Sequence, residues 1–238
     1  MPDYQLKIKQ VIDYPRCRIY RQFIQSLIED SSIRVKRTSY LYFYVVLSTH
    51  ANFRTSYRRL DGFTYTVFPG EWICTQVEIK KWFRCRSSAD VLHILDHLQK
   101  NGYINFTILG RGSIIKYTII GWEKNNAIID HHAPCAKTTG FFFLCFRRLT
   151  ELTSMGKCAE KDILLDCWFN AVYNDFRIIS SDKAPVVYFR NHSNRPVLSY
   201  AELADRWGIS KATVSRVLNK LSEQGHITVI SFSGTSGS

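Results

Sequence analysis

Within ten residues the chain carries Lys211, Thr213, Ser215, Arg216, Asn219 and Lys220, set just behind Ser210. Val214, Val217, Leu218 and Leu221 run through the same segment at the i, i+3, i+4, i+7 spacing of a helix that buries one stripe, so the polar residues lie off that stripe. A guanidinium fork such as that of Arg216 pairs bidentately with O6 and N7 of a guanine, which lysine cannot copy. Lys211 and Thr213 fall in the first turn, where helix polarity also favours phosphate. Lys220, further on, is placed for the nucleic-acid backbone. Together these side chains point to the edges and phosphates of duplex DNA.

The residue spacing offers little support for other chemistry. Asp130, His131, His132 and Cys135 could ligate a metal, but no second cluster follows at zinc-finger spacing. His93 and His97 stand four apart without the intervening glutamate of a metalloprotease helix. The chain has no phosphate-binding GxxxxGK[ST] loop and no His-x-His pair. Ser113-x-x-Lys116 and Ser154-x-x-Lys157 lack the companion motifs of acyl-transfer enzymes. The expectation is a chain that is not an enzyme and has neither cofactor nor metal.

The polar cluster needs elements to position it, and Leu198–Ile230 supplies them. Ala201, Leu203, Ala204 and Trp207 give a short helix one apolar face. Gly208-Ile209-Ser210 provides a tight turn and an N-cap. The second helix ends at Gly225, and His226–Ile230 reads as a strand. Helix, turn, helix and strand resemble the winged-helix superfamily, and SKATVSRVLNKL is similar to recognition helices of catabolite-activator and GntR-type regulators.

A diverged copy lies upstream. Ser87–Ile104 aligns without a gap on Ser210–Ile227, with seven of 18 positions identical. Glu78-Ile79 then matches Glu202-Leu203 once a residue is added to the turn Arg84-Cys85-Arg86. Tyr103–Leu109 and Ile114–Ile120 form a predicted hairpin whose Gly110–Ser113 tip carries Arg111, the shape of a wing, with Lys116 as a further phosphate contact. Arg86, Ser88 and His93 are the candidate contacts on the first copy's helix. Ser39–His50 is apolar nearly all round, and periodicity does not decide between strand and buried helix. Ala51-Asn52, Gly62, Gly70 and Glu71 resemble the opening of phage replisome-organiser and DnaD-type proteins, in which a first helix is followed by a strand and a Gly-Glu turn. By that likeness Asp162–Phe176 would be the first helix of the second copy and Val186–Phe189 its first strand.

Charge supports a polyanionic partner. The chain of 238 residues has net charge +12 and a pI near 9.4. Residues 1–122 hold 18 Lys/Arg against 9 Asp/Glu, and residues 123–238 hold 14 against 11. Basic residues cluster at Arg16, Arg18, Arg21, Arg34, Lys36, Arg37, Arg54, Arg58 and Arg59, so the N-terminal half is expected to grip backbone while the C-terminal copy reads bases. Seven cysteines in no regular spacing, with no signal peptide, indicate reduced thiols in a cytoplasm, and Cys145 and Cys167 read as core residues. Arg16–Ile28 reads as an amphipathic helix that packs on its own domain, dimerises or lies on a membrane, the last being least favoured by its narrow cationic face. Phe141–Phe146 is expected to be buried against the second domain.

The expected fold is α+β, mainly α: an N-terminal helix and arm (1–33), a winged-helix domain (34–122), a linker (123–140) and a second winged-helix domain (141–238). Ser233–Ser238 resembles a wing tip with no returning strand, implying a truncated wing. The expected role is that of a cytoplasmic, bacterial, duplex-DNA-binding protein with no membrane association, able to form a homodimer. It would regulate transcription or initiate replication of a plasmid or mobile element. The alternative is an adaptor built on winged helices that have lost DNA binding.

Overall fold

The computed structural model describes residues 16–35, 39–122, 140–172, 176, 178–189 and 199–230. The chain divides into two compact units: Met1–Ser32 with Tyr40–Leu149, and Ile33–Ser39 with Thr150–Ser238.

In the first unit, β1 (Arg16–Tyr20) leads directly into α1 (Arg21–Glu29). The single helix expected over Arg16–Ile28 is therefore split. Its first five residues pair antiparallel with Phe141–Cys145, from Arg16 opposite Cys145 to Tyr20 opposite Phe141. A strand's backbone needs a partner, and here that partner lies far along the chain, where local periodicity gives no hint of it. The same pairing corrects the expectation for Phe141–Phe146, since Phe142, Leu144 and Cys145 are buried within the first unit. The apolar face of α1 (Ile24, Leu27 and Ile28) is buried too, so of its three conceivable roles it takes intramolecular packing.

Next comes α2 (Leu41–His50), which settles the strand-or-helix question for this stretch. Every residue from Leu41 to Thr49 is buried, which is why its sequence shows no polar face. Two tyrosines tie it in: Tyr117 donates to the Leu47 carbonyl (2.9 Å), and Tyr42 of α2 donates to the Trp82 carbonyl (2.8 Å).

Then β2 (Ser56–Leu60) and β3 (Phe63–Val67) form a hairpin closed by Asp61-Gly62, both at positive φ, as a two-residue type I′ turn requires. Asn52 anchors its base. The Asn52 N–H donates to the Glu71 carbonyl, its carbonyl accepts from Gly70, and its side-chain amide donates to the Ser56 hydroxyl (2.6 Å).

The rest of this unit is β4 (Glu71–Thr75), α3 (Gln76–Phe83), α4 (Ser88–Lys100), β5 (Ile104–Leu109) and β6 (Ile114–Ile119). The strands form an antiparallel sheet of order β4-β6-β5. The expected hairpin is present as β5 and β6, with Leu109 opposite Ile114 and a 3₁₀ turn at Gly110–Gly112. Leu60, Tyr65 and Val67 of the β2–β3 hairpin pack with Trp72, Ile73, Leu109 and Ile114 of that sheet. Arg84 ends α3 in a left-handed conformation (φ 52), and its guanidinium donates to the carbonyls of Ile28 (3.1 Å) and Glu29 (3.4 Å) at the end of α1.

β7 (Phe141–Cys145) continues into α5 (Phe146–Thr153), followed by α6 (Glu160–Phe169) in the second unit. The helix expected over Asp162–Phe176 thus starts earlier and stops at Asn170, whose side chain folds back onto the Asp166 carbonyl (2.8 Å) and carboxylate (3.0 Å). Beyond it, β8 (Ala171–Val172) pairs with β9 (Val186–Val187), so the strand expected over Val186–Phe189 is two residues long. The unit continues through α7 (Tyr200–Trp207) and α8 (Lys211–Glu223). His226–Ile230 is not a strand: among the described residues nothing pairs with it, and an extended backbone without a ladder partner makes no sheet. Ser233–Ser238 and the 123–139 stretch, with Asp130, His131, His132 and Cys135, lie outside the described residues.

Candidate nucleic-acid interface

Local chemistry builds the α7–α8 pair. The Ser199 hydroxyl accepts from the Glu202 N–H (3.3 Å), and the Glu202 carboxylate accepts from the Ser199 N–H (3.1 Å), a capping box that starts α7. Gly208 ends it at φ +63, and the Ile209 N–H returns to the Ala204 carbonyl (3.0 Å). A Cβ at Gly208 would stand 2.7 Å from the Gly156 carbonyl oxygen, so both the backbone angle and the space demand glycine. The Ser210 hydroxyl then accepts from the Thr213 N–H (3.2 Å) and starts α8. Val214, Val217, Leu218 and Leu221 are buried, as are Ala204 and Trp207 of α7. The close of α8 is a pair of reversed bonds, from Gly225 to Ser222 (2.9 Å) and from His226 to Leu221 (2.9 Å).

The α3–α4 pair repeats this scheme. Thr75 and Glu78 form the capping box, and the Cys85 N–H returns to the Lys80 carbonyl (3.1 Å). Ser87 caps α4, which buries Val91, Ile94, Leu95 and Leu98. Its end is closed by bonds from Gly102 to Gln99 (2.9 Å) and from Tyr103 to Leu98 (3.0 Å). The correspondence is residue for residue, with Arg86 the one extra position in the turn.

A buried charge cluster supports α7 and α8. Asp166 of α6 accepts from Arg206 Nε (2.6 Å) and Nη2 (2.8 Å) and from the Trp207 indole (2.8 Å). Burial alone would lower the Arg206 pKa, but the Asp166 hydrogen bonds and charge more than offset it, and the net shift is upward. Glu160 of α6 accepts from Lys220 Nζ (2.5 Å) and from the Arg34 N–H (3.1 Å). Burial pushes the Glu160 pKa up, yet Lys220 and the Arg34 N–H hold it below the ordinary carboxylate value.

The candidate contact residues separate accordingly. Lys211, Arg216 and Asn219 are exposed on α8, and Thr213 and Ser215 are half-buried. The Ser210 hydroxyl is committed to capping and lies 2.9 Å from that of Thr213. Lys220, expected to face backbone, is held by Glu160, so a phosphate would have to displace that carboxylate. In the first unit Arg59, Arg86, Ser88, His93 and Arg111 are exposed. Arg58 is instead paired with Glu78 (2.6 Å) and lies over the Trp72 ring, and Lys116 is paired with Glu71 (2.9 Å). His97 stacks on Tyr40 (3.7 Å) rather than facing outward with His93. Sequence reasoning missed Glu160 and Asp166, for which no local signal exists, and the β2–β3 hairpin, for which Asp61-Gly62 between alternating runs is the signal.

The profile of the MarR family matches residues 182–234, the span that holds α7 and α8. Comparison with curated proteins and with solved structures gave no match. The match assigns a winged-helix domain to this part of the chain. Among the described residues, no helix is long and apolar enough to cross a membrane.

Proposed function

We propose that the chain is a transcription regulator that binds duplex DNA through two winged-helix units and reads sequence with α8. The observation that carries this reading is the capped α7–α8 pair, with Lys211, Arg216 and Asn219 exposed opposite the buried stripe. The family match over 182–234 supports it. The tandem assignment is supported by the matching caps and turn bonds of α3–α4, and by the β4-β6-β5 sheet with its glycine-rich tip. Initiation of replication is a second reading that rests on the pairing of two such units. A homodimer on an inverted repeat belongs to the regulator reading.

Binding-site selection with the full chain, Arg216→Ala and Lys220→Ala at fixed salt tests the assignment. Arg216→Ala should cost about 1–3 kcal/mol on the selected site and flatten preference at one base pair. Lys220→Ala should leave the motif intact and change affinity less, because Glu160 already engages that ammonium. An unchanged motif and affinity for a folded Arg216→Ala would remove α8 as the reader and favour the adaptor alternative. An inverted repeat in the selected motif supports the dimer, whereas directly repeated sites beside an origin support replication.

A further inference from the structure

The first unit's helix α4 has the wrong charge for the task its counterpart performs. It carries Asp90 and Asp96 against Lys100, whereas α8 carries Lys211, Arg216 and Lys220 against Glu223. A helix of net negative charge is a poor fit to a groove walled by phosphates. The two hairpins of the same unit have the opposite balance, with Arg58, Arg59, Arg111 and Lys116 against Asp61.

Strand register sorts these residues by face. Leu60, Tyr65 and Val67 pack with the β4-β6-β5 sheet. Arg58 and Phe63, the cross-strand neighbours of Tyr65 and Leu60, belong to that same inner face, and Arg58 is paired there with Glu78. The other face consists of Tyr57 opposite Thr66 and Arg59 opposite Thr64. All four are exposed, and none makes a side-chain hydrogen bond or ion pair among the described residues. This face thus presents one guanidinium among three hydroxyls, with no carboxylate on it.

The tip of the hairpin is bonded to the wing, since the Ser113 hydroxyl donates to the Asp61 carboxylate (3.3 Å). Gln76 of α3 also holds the wing, its N–H donating to the Ser113 carbonyl (2.9 Å) and its side-chain amide to the Gly112 carbonyl (2.6 Å). On this fixed loop Arg111 is exposed and left-handed (φ 54), a conformation that disfavours any side chain. Its guanidinium has no partner among the described residues. Strain kept at an exposed arginine without an internal contact is accounted for by an external one.

We propose that the first unit grips the backbone of duplex DNA with the outer face of β2–β3 and the wing tip, while α4 stays out of the major groove. Arg59 and Arg111 meet phosphates as cations, and Tyr57, Thr64 and Thr66 donate hydroxyl hydrogen bonds to them. This rests on the reading of the chain as a duplex-binding protein and adds the surface by which its first unit binds.

Fluorescence anisotropy of the full chain over a salt series, with a duplex bearing the selected site and a scrambled duplex of equal length, tests the proposal. Arg59→Ala and Arg111→Ala should each lower the salt slope by about 0.9 on both duplexes and leave the selected motif unchanged. Tyr57→Phe/Thr64→Val/Thr66→Val should weaken both duplexes about five-fold or more with the slope intact, because it removes donors and no charge. Ser88→Ala/His93→Ala on α4 should change affinity less than two-fold. A wild-type slope in a folded Arg59→Ala/Arg111→Ala variant would overturn the proposal, as would an altered motif in the α4 variant. A shift of Tyr57→Ala from dimer to monomer in sedimentation, with duplex affinity intact, would assign the face to a second copy of the chain instead. Arg216→Ala is read from the motif and the hairpin variants from the slope, so either reading can fail alone; no duplex binding by the wild type would end both.

Discussion

Replacing Asp166 by alanine should collapse the support beneath the helix-turn-helix. The carboxylate side chain is 4% exposed and its partner Arg206 15%, so water compensates neither. Alanine strands the guanidinium over the Phe189 ring and leaves the Trp207 indole N–H without its acceptor. Breaking a buried pair from one side costs about 3–5 kcal/mol, chiefly through the charge left behind. In a unit of this size each kcal/mol moves the midpoint by about 4–8 °C, so the second unit should melt at least about 12 °C lower. Urea unfolding followed by circular dichroism measures the loss. Asp166→Leu combined with Arg206→Met should recover much of the stability, because neither charge then remains. A loss below about 1 kcal/mol for Asp166→Ala, or additivity of the two single changes, would refute the view that this pair holds α6 to α7.

Glycine positions give a second test. Gly70→Ala should destabilise the first unit by at least about 1 kcal/mol more than Gly62→Ala in urea unfolding; both have positive φ, but only at Gly70 would the new Cβ meet Trp122, at 2.7 Å. Glu160→Gln should raise affinity for non-cognate duplex and steepen its salt slope by up to about 0.9, since Lys220 is then released to phosphate. The same variant tests a pH effect. The folded Glu160 pKa lies below the unfolded value of 4.5, so its contribution is present above that value and is lost as pH falls through the folded pKa. Stability measured from pH 6 to 3 should therefore fall less steeply in Glu160→Gln than in the wild type.

What the sequence made legible was local. Caps, turns and buried stripes are written within a few residues, which is why Ser210 through Leu221, the Gly110–Ser113 tip and the alignment of Glu78 with Glu202 could be read directly. Partners across long stretches of chain were not. Nothing near Arg16 names Phe141–Cys145 as its strand partner, and nothing near Lys220 names Glu160. An apolar run such as Leu41–His50 also stays ambiguous, because a helix buried on every side has no polar face to reveal its period. His226–Ile230 failed for the complementary reason: composition suits a strand, but pairing makes one.

The contact between Arg84 and α1 bears on the order in which the first unit assembles and opens. Helix α4 is closed by caps drawn from its own ends, whereas the last carbonyls of α1 find their donor in a guanidinium 55 and 56 residues away. That guanidinium reaches them only once α3 has ended in its left-handed turn at Arg84. A helix whose end is sealed by so distant a residue gains the seal late and loses it early, while its locally capped neighbours stay closed. The N-terminal segment thus forms the outermost layer of the unit's cooperativity, the part through which amide protons should first exchange with solvent.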